Sequence, residues 1–405
     1  MPIGTPFSSQ TTPLCQSHSW EDWGYYYVPT HYDVGGHELE YFAIRHQAGM
    51  IDVSPLFKYR VSGPDAFRFV NRLITRDLNK CKVGQAYYAP ICNDDGKVID
   101  EGPVQRLDEQ LFRVTTTRPG HRWLLLNAVG MNVKIVDESA SWAALALQGP
   151  MARNVLKQVT DADLDNLKYF RIAHNAKVDG ITCDVTRTGY TGDLGYEIWV
   201  PAEDAPRLYS AVMEAGKPYG VMPAGMLAML MCRVEAGLVM TEAEYVSALD
   251  AMIPDQMYSP YELNLGWTVN LNGSEDFVGR KALMEEKRVG PRRKLVGLHV
   301  DFESFESWYD KVGLPPELPE EAWDSDETTG LWVGPDGDED QIGKCQTLTW
   351  SPIVKKLIAL GSLWEPEYAK LGTEIKIELN VEHIDRMVKA TVVKTPFYDP
   401  PHKRV

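Results

Sequence analysis

Three groups of residues have types and spacings that could do chemistry. In the first, Arg187-Thr188-Gly189-Tyr190-Thr191-Gly192-Asp193-Leu194-Gly195-Tyr196-Glu197-Ile198-Trp199-Val200, a glycine-punctuated turn feeds an apolar strand with one isolated carboxylate. The glycines let the backbone bend and approach a flat molecule, and Tyr196, Ile198 and Val200 alternate with Glu197 and Trp199, so Glu197 points away from its immediate neighbours. A buried Glu197 would accept hydrogen bonds from the donor-rich edge of a ring; in an ordinary hairpin it would face water. Tyr190 is either a wall of such a site or a packing residue. The second group is Asp100-Glu101, at the end of Asn93-Asp94-Asp95-Gly96-Lys97-Val98-Ile99. Paired carboxylates suit proton transfer, and they also solvate turns. The third is Cys232-Arg233-Val234-Glu235, where the guanidinium fork of Arg233 suits a carboxylate or a polar ring edge, or an ion pair with Glu235.

The elements that must hold these groups follow from periodicity and punctuation. Residues 1–34, rich in Ser, Thr, Pro and aromatics, read as an arm laid over the surface. Helical spacing from Glu38 to Gln47 precedes a strand from Met50 to Val61, and Pro64 to Leu73 is again helical. Tyr87–Cys92, Gly96–Ile99 and Leu111–Thr115 read as strands around the Asp94-Asp95-Gly96 turn. The pattern then recurs: strand Ala144–Leu147, helix Ala152–Val159, strands Ile181–Arg187 and Tyr196–Pro201, helix Ala205–Ala215. Past Lys294–Val300, an acidic, Pro/Gly-rich stretch over 315–340 reads as an exposed insertion. Short strands at Gln346–Trp350, Ile358–Ser362, Glu374–Leu379 and Lys389–Val393 suggest a small barrel.

Composition bounds the function. A chain of 405 residues is too long for one compact core, so two or three lobes are expected. The net charge of −16 argues against a nucleic-acid-binding face. Six scattered cysteines, without Cys-x-x-Cys or a His at ligand spacing, fit a reduced cytoplasmic protein and no metal site. No basic-then-apolar leader opens the sequence, and no run of about eighteen apolar residues occurs in it, so no membrane span is expected. The mitochondrial matrix stays open if a presequence has been removed. Composition leaves the oligomeric state open.

From about Gly35 to Tyr398 the chain resembles the T-protein (aminomethyltransferase) family of the glycine cleavage system and its folate-dependent demethylase relatives. The residues that carry this are Arg45–Gly63, Asn93–Glu101, Gln148-Gly149-Pro150, the Arg187–Val200 stretch, Cys232–Glu235, Tyr261–Leu283 and Pro396-Phe397-Tyr398, in that order. The resemblance implies an α+β fold of three lobes around a central folate channel: an arm over 1–34, two mixed α/β lobes over 35–290, and a small β-barrel lobe over 291–405. It implies a tetrahydrofolate-dependent transferase passing a methyl or aminomethyl/methylene unit from a methylated small molecule or a lipoyl carrier protein. Glu197 then binds the pterin, with Arg233 and Tyr190 as further folate contacts and Asp100 and Glu101 as the catalytic pair. Two departures bear on the donor. Glycine-cleavage members carry paired aspartates where this chain has Asp100-Glu101, and one extra methylene moves a carboxylate by roughly 1.5 Å. Asp52-Val53-Ser54-Pro55-Leu56-Phe57-Lys58 looks more like relatives acting on methylated amines or sulfonium compounds. A non-catalytic folate-binding assembly or repair factor is the alternative from another class.

Overall fold

The computed structural model describes residues 1–273, 276–318 and 329–404, so 319–328 of the expected insertion lie outside the described residues. The N-terminal arm is ordered as β1 (Ile3–Gly4), α1 (Ser8–Thr11), β2 (Trp20–Trp23) and β3 (Tyr26–Pro29), a small sheet in the order β1-β3-β2. It also enters the body. Phe7 is fully buried, 6.1 Å from the Tyr209 ring, and the Thr5 hydroxyl donates to Asp52.

Helix α2 (Glu38–His46) leads into β4 (Gly49–Asp52), where the expected single strand over Met50–Val61 breaks. The Asp52 carboxylate accepts from Ser54 N, a local turn, and Pro55 has no N–H to continue a ladder, so β5 (Phe57–Ser62) starts a different sheet. The first lobe runs β5, α3 (Ala66–Leu73), β6 (Gln85–Cys92), β7 (Val98–Asp108), β8 (Leu111–Thr116), α4 (His121–Asn127), β9 (Lys134–Asp137), and its antiparallel sheet has the order β6-β7-β8-β5-β9. The second lobe repeats the sequence of elements: β10 (Trp142–Gln148), α5 (Ala152–Leu156), β11 (Ile172–Val178), β12 (Ile181–Thr186), β13 (Gly195–Pro201), α6 (Ala205–Gly216), β14 (Met222–Pro223). Its order, β11-β12-β13-β10-β4-β14, is that of the first lobe with β4 inserted.

The second sheet is covered on both faces, which is why its central strands are almost wholly apolar. Leu145, Leu147, Tyr196, Ile198 and Val200 pack in one core, whereas Ala144, Ala146 and Trp199 face another, against α2 and α7 (Met226–Glu235). Every residue of α7 is buried, as its Met-Leu-Ala-Met-Leu-Met-Cys sequence requires, so the charges of its last turn must find partners inside. After a long irregular stretch comes α8 (Arg280–Val289). The third lobe comprises β15 (Lys294–Val300), α9 (Phe302–Asp310), β16 (Thr329–Val333), β17 (Asp340–Ser351), β18 (Lys356–Leu363), β19 (Glu374–Val381) and β20 (Ile384–Val393), closed as a barrel in the order β15-β18-β17-β16-β19-β20. The barrel was expected, but β16 lies inside the stretch read as insertion: Leu331, wholly buried in the barrel core, anchors it.

One buried ion-pair hub joins the lobes. Arg45 of α2 contacts Glu235 of α7 at 2.5 Å and Asp193 of the glycine loop at 3.2 Å, with all three side chains excluded from solvent. Glu235 also accepts from Tyr41 and from Ser351 of the barrel, and Asp193 is met by His402 at 2.5 Å. Removing one member would strand a buried charge, so the hub fixes how α2, α7, the loop and the barrel sit together.

Candidate functional site

Asp100 and Glu101 are neighbours on β7, opposite Ile91 and Pro90 of β6. Their environments differ sharply. Asp100 accepts from Glu101 N at 2.8 Å, Thr117 Oγ1 at 2.8 Å, Arg118 N at 3.0 Å and Thr117 N at 3.1 Å, so both its oxygens are engaged. Burial lifts its pKa to about 6 against the pull of those donors. Glu101 has the hydroxyl of Tyr88 as its hydrogen-bonding partner, and burial, then the adjacent Asp100 charge, push its pKa well above the usual carboxylate range. Both carboxyls are thus pushed toward the protonated form, as a coupled pair, with Glu101 lacking the fixed backbone donors that restrain Asp100. The reading of these residues as solvating a turn does not fit, because both are buried.

Glu197 sits on β13 opposite Ala146, on the face that looks toward α2 and α7. It is 9 % exposed, so the solvent-facing alternative also fails. Its Oε2 accepts from Thr188 Oγ1 at 2.7 Å and, weakly, from Thr186 Oγ1 at 3.4 Å, while among the described residues no hydrogen bond engages Oε1. Burial raises the pKa and the two hydroxyls lower it. The glycines of the loop serve two purposes. Gly192 has φ of +71°, and a Cβ there would lie 2.5 Å from that of Ala236. At Gly189 and Gly195 close approach is the cause: a Cβ would fall 1.9 Å and 2.2 Å from Gln148 Oε1. The Gln148 amide fills that space, donating to Thr188 O and accepting from Thr191 Oγ1, so the Gln-Gly-Pro turn pins the loop that supports Glu197.

Arg233 is wholly buried at the end of α7. Its partner is not Glu235, which is committed to Arg45, but Glu244 at 2.6 Å, with further donation to Leu238 O at 3.2 Å and to Thr347 Oγ1 of the barrel at 3.3 Å. Its Nε has no hydrogen-bond partner among the described residues. Tyr190 donates to Val239 O. Its pKa is raised well above the ordinary phenol value by burial first, while the Arg233 cation opposes and the Glu101 and Glu244 charges add. Tyr245, 2 % exposed, feels Glu101, Asp100, Tyr88 and Tyr190 in turn, and its hydroxyl has no hydrogen-bond partner among the described residues.

The structure thus brings Asp100, Glu101, Tyr190 and Arg233 into one electrostatic neighbourhood. Glu197 is joined to it along the chain, since Thr188, which holds its carboxylate, is two residues from Tyr190. Sequence reasoning missed Tyr88, Glu244, Tyr245 and Thr347. The strand alternation of β6 could have found Tyr88. Glu244 and Tyr245 lie in an irregular stretch with no periodic signal, and Thr347 is 114 positions from the arginine it contacts. Among the described residues no group of three or more His, Cys, Asp or Glu could hold a metal ion, and no helix is long and apolar enough to cross a membrane.

Against known proteins, the GCVT N-terminal domain model matches residues 15–273, and the glycine cleavage T-protein C-terminal barrel domain model matches residues 312–399. An aminomethyltransferase of Clostridium botulinum (strain Okra / Type B1) is 35% identical over 381 residues, covering 93% of this chain and 92% of the relative. An aminomethyltransferase of Lysinibacillus sphaericus (strain C3-41) is 34% identical over 401 residues, covering 96% of this chain and 99% of the relative. In fold, the chain is similar to the crystal structure of glycine cleavage system aminomethyltransferase T from Bartonella henselae, with TM-score 0.79, 22% identity, and 98% and 99% of the two chains covered.

Proposed function

The chain belongs to the glycine cleavage T-protein family of aminomethyltransferases, tetrahydrofolate-dependent transferases, and from that premise we propose how its residues move a one-carbon unit from a donor to tetrahydrofolate. The carrying observation is the asymmetry of the carboxylate pair. Asp100 is saturated by fixed donors and orients its neighbour, while Glu101, pushed toward its protonated form by burial and by Asp100, is the member placed to give or share a proton. Tetrahydrofolate supplies the nucleophilic nitrogen that accepts the one-carbon unit. Glu197 accepts from the donor edge of the pterin through its Oε1, which no hydrogen bond engages among the described residues. Arg233 braces this arrangement through Glu244 and Thr347, and Tyr190 forms part of the wall. The reaction relies on proximity and proton placement, with no covalent enzyme intermediate.

The donor is an aminomethyl group on a lipoyl carrier or a small methylated compound. Six unpaired, buried cysteines fit work in the cytoplasm. Incubating the protein and tetrahydrofolate with a glycine-loaded lipoyl carrier or with free methylated amines and sulfonium compounds separates the readings. Methylene-tetrahydrofolate from the carrier supports aminomethyl transfer, and methyl-tetrahydrofolate from a small donor supports demethylation. Folate binding without turnover across the donor panel would favour the non-catalytic alternative.

A further inference from the structure

Arg76 follows α3 and reaches across the free edge of β6. Its Nη1 donates to Tyr88 O at 3.0 Å, and its guanidinium carbon lies 3.6 Å from the Tyr87 ring centre and 5.1 Å from that of Trp267. Trp267 is 64% exposed and stacks on Tyr88 at 6.3 Å with 19° between the rings. Tyr88 in turn donates to Glu101, so this cluster continues from the surface to the catalytic carboxylate.

Beside Arg76 lies a polar cavity of about 140 Å³, lined by Asn71, Thr75, Arg76, Asp77, Asn270 and Phe277 among others. Arg45, Arg113, Arg233 and Arg293 each face a carboxylate, whereas among the described residues none is within ion-pair distance of Arg76. Asp77, which also lines the cavity, is engaged by Asn79 N and Nδ2 and lies 3.9 Å from Lys80. Asn71 uses its Oδ1 to accept from Leu78 N, which leaves its amide N–H groups as donors. A half-buried cation held between aromatic faces, beside amide donors and without a counter-charge among the described residues, has room for an anion. Burial accordingly lowers the Arg76 pKa.

We infer that Arg76, with Asn71, Asn270 and the face of Trp267, is a carboxylate-binding subsite at the mouth of the reaction site. A planar carboxylate meets the guanidinium fork in two hydrogen bonds while the rings hold the fork flat. Two ligands of the proposed reaction could bring that group: the glutamyl tail of tetrahydrofolate, or a carboxylate on the one-carbon donor. The anion site itself stands apart from the folate reading; its place beside the reaction rests on that reading.

The test follows the indole N–H resonance of Trp267, assigned with Trp267→Phe, during acetate titration of the full chain. Wild type should show a saturable shift that weakens about tenfold or more in Arg76→Gln and is partly kept in Arg76→Lys. If tetrahydrofolate blocks the acetate shift and tetrahydropteroate, which lacks the glutamate, does not, the folate tail occupies the subsite. If both ligands bind and neither blocks it, the subsite serves the donor. Blocking by both ligands would put the pteridine ring at Arg76 and overturn the assignment, as would an absent acetate shift or one unchanged in folded Arg76→Gln. Failure of tetrahydrofolate to bind, with the acetate result intact, would count against the folate reading and leave the anion site standing.

Discussion

Replacing Glu197 by glutamine probes ligand recognition with little disturbance of the fold. In the protein one carboxylate oxygen is held by Thr188 at 2.7 Å, and among the described residues no hydrogen bond engages the other. Glutamine can keep the Thr188 bond through its carbonyl, which turns its amino group toward the position where a ligand donor would sit. One charge-assisted hydrogen bond is then lost and a donor faces a donor, about 1.5–3 kcal/mol, or roughly 10- to 150-fold in Kd. Because burial raises the pKa of Glu197, the folded protein already disfavours the charge, so the neutral variant should be at least as stable as wild type. Anaerobic calorimetry with tetrahydrofolate, beside a denaturant titration, measures both quantities. A Kd within twofold of wild type would remove Glu197 from recognition, and a large fall in stability with unchanged Kd would make it a structural residue.

Three further outcomes follow from buried groups. Lys58 is fully buried, its ammonium donates to Ser54 O and Leu56 O, and burial lowers its pKa to about 7. Between that value and about 10.5 the unfolded chain binds the extra proton, so stability should rise with pH there; the difference curve of wild type against Lys58→Met should change by about 2 kcal/mol from pH 7 to 9, and a flat curve would contradict this. Arg45→Met leaves Glu235 and Asp193 buried without their cation and should cost about 3–5 kcal/mol in urea unfolding, a prediction sunk by a change under 1 kcal/mol. Gly192→Ala combines positive φ with contact on Ala236 and should destabilise by about 1–3 kcal/mol while weakening folate binding; wild-type values for both would show that the loop relaxes freely.

What was legible in the sequence was local. Alternation in β13 placed Glu197 opposite to Tyr196 and Ile198, and those neighbours do pack in a separate core. Punctuation around Asp94-Asp95-Gly96 located the β6–β7 hairpin, but the second strand, expected to end at Ile99, runs on to Asp108 and carries Asp100 and Glu101 within it. The recurrence of strand-helix-strand patterns foretold the second lobe. Periodicity carries no record of which distant groups meet, and this hid the rest. Arg233 and Glu235 lie two apart in a helix and face different partners, one Glu244 and the other Arg45, 190 positions away. Composition misled at β16, where acidic, glycine-rich flanks conceal the buried Leu331. The break between β4 and β5 depends on the Asp52 turn as much as on Pro55, and an apolar count passes over both.

The central claim is that Glu101 carries the proton of the transfer step while Asp100 holds it in place. Single-turnover transfer to tetrahydrofolate by Glu101→Gln, using whichever donor the wild type accepts and with folate saturating, tests it most directly. The glutamine keeps the shape and the contact with Tyr88 but has no transferable proton, so the rate should fall about 10²–10⁴-fold with the folate Kd within twofold of wild type. A wild-type single-turnover rate in the folded variant would contradict the account.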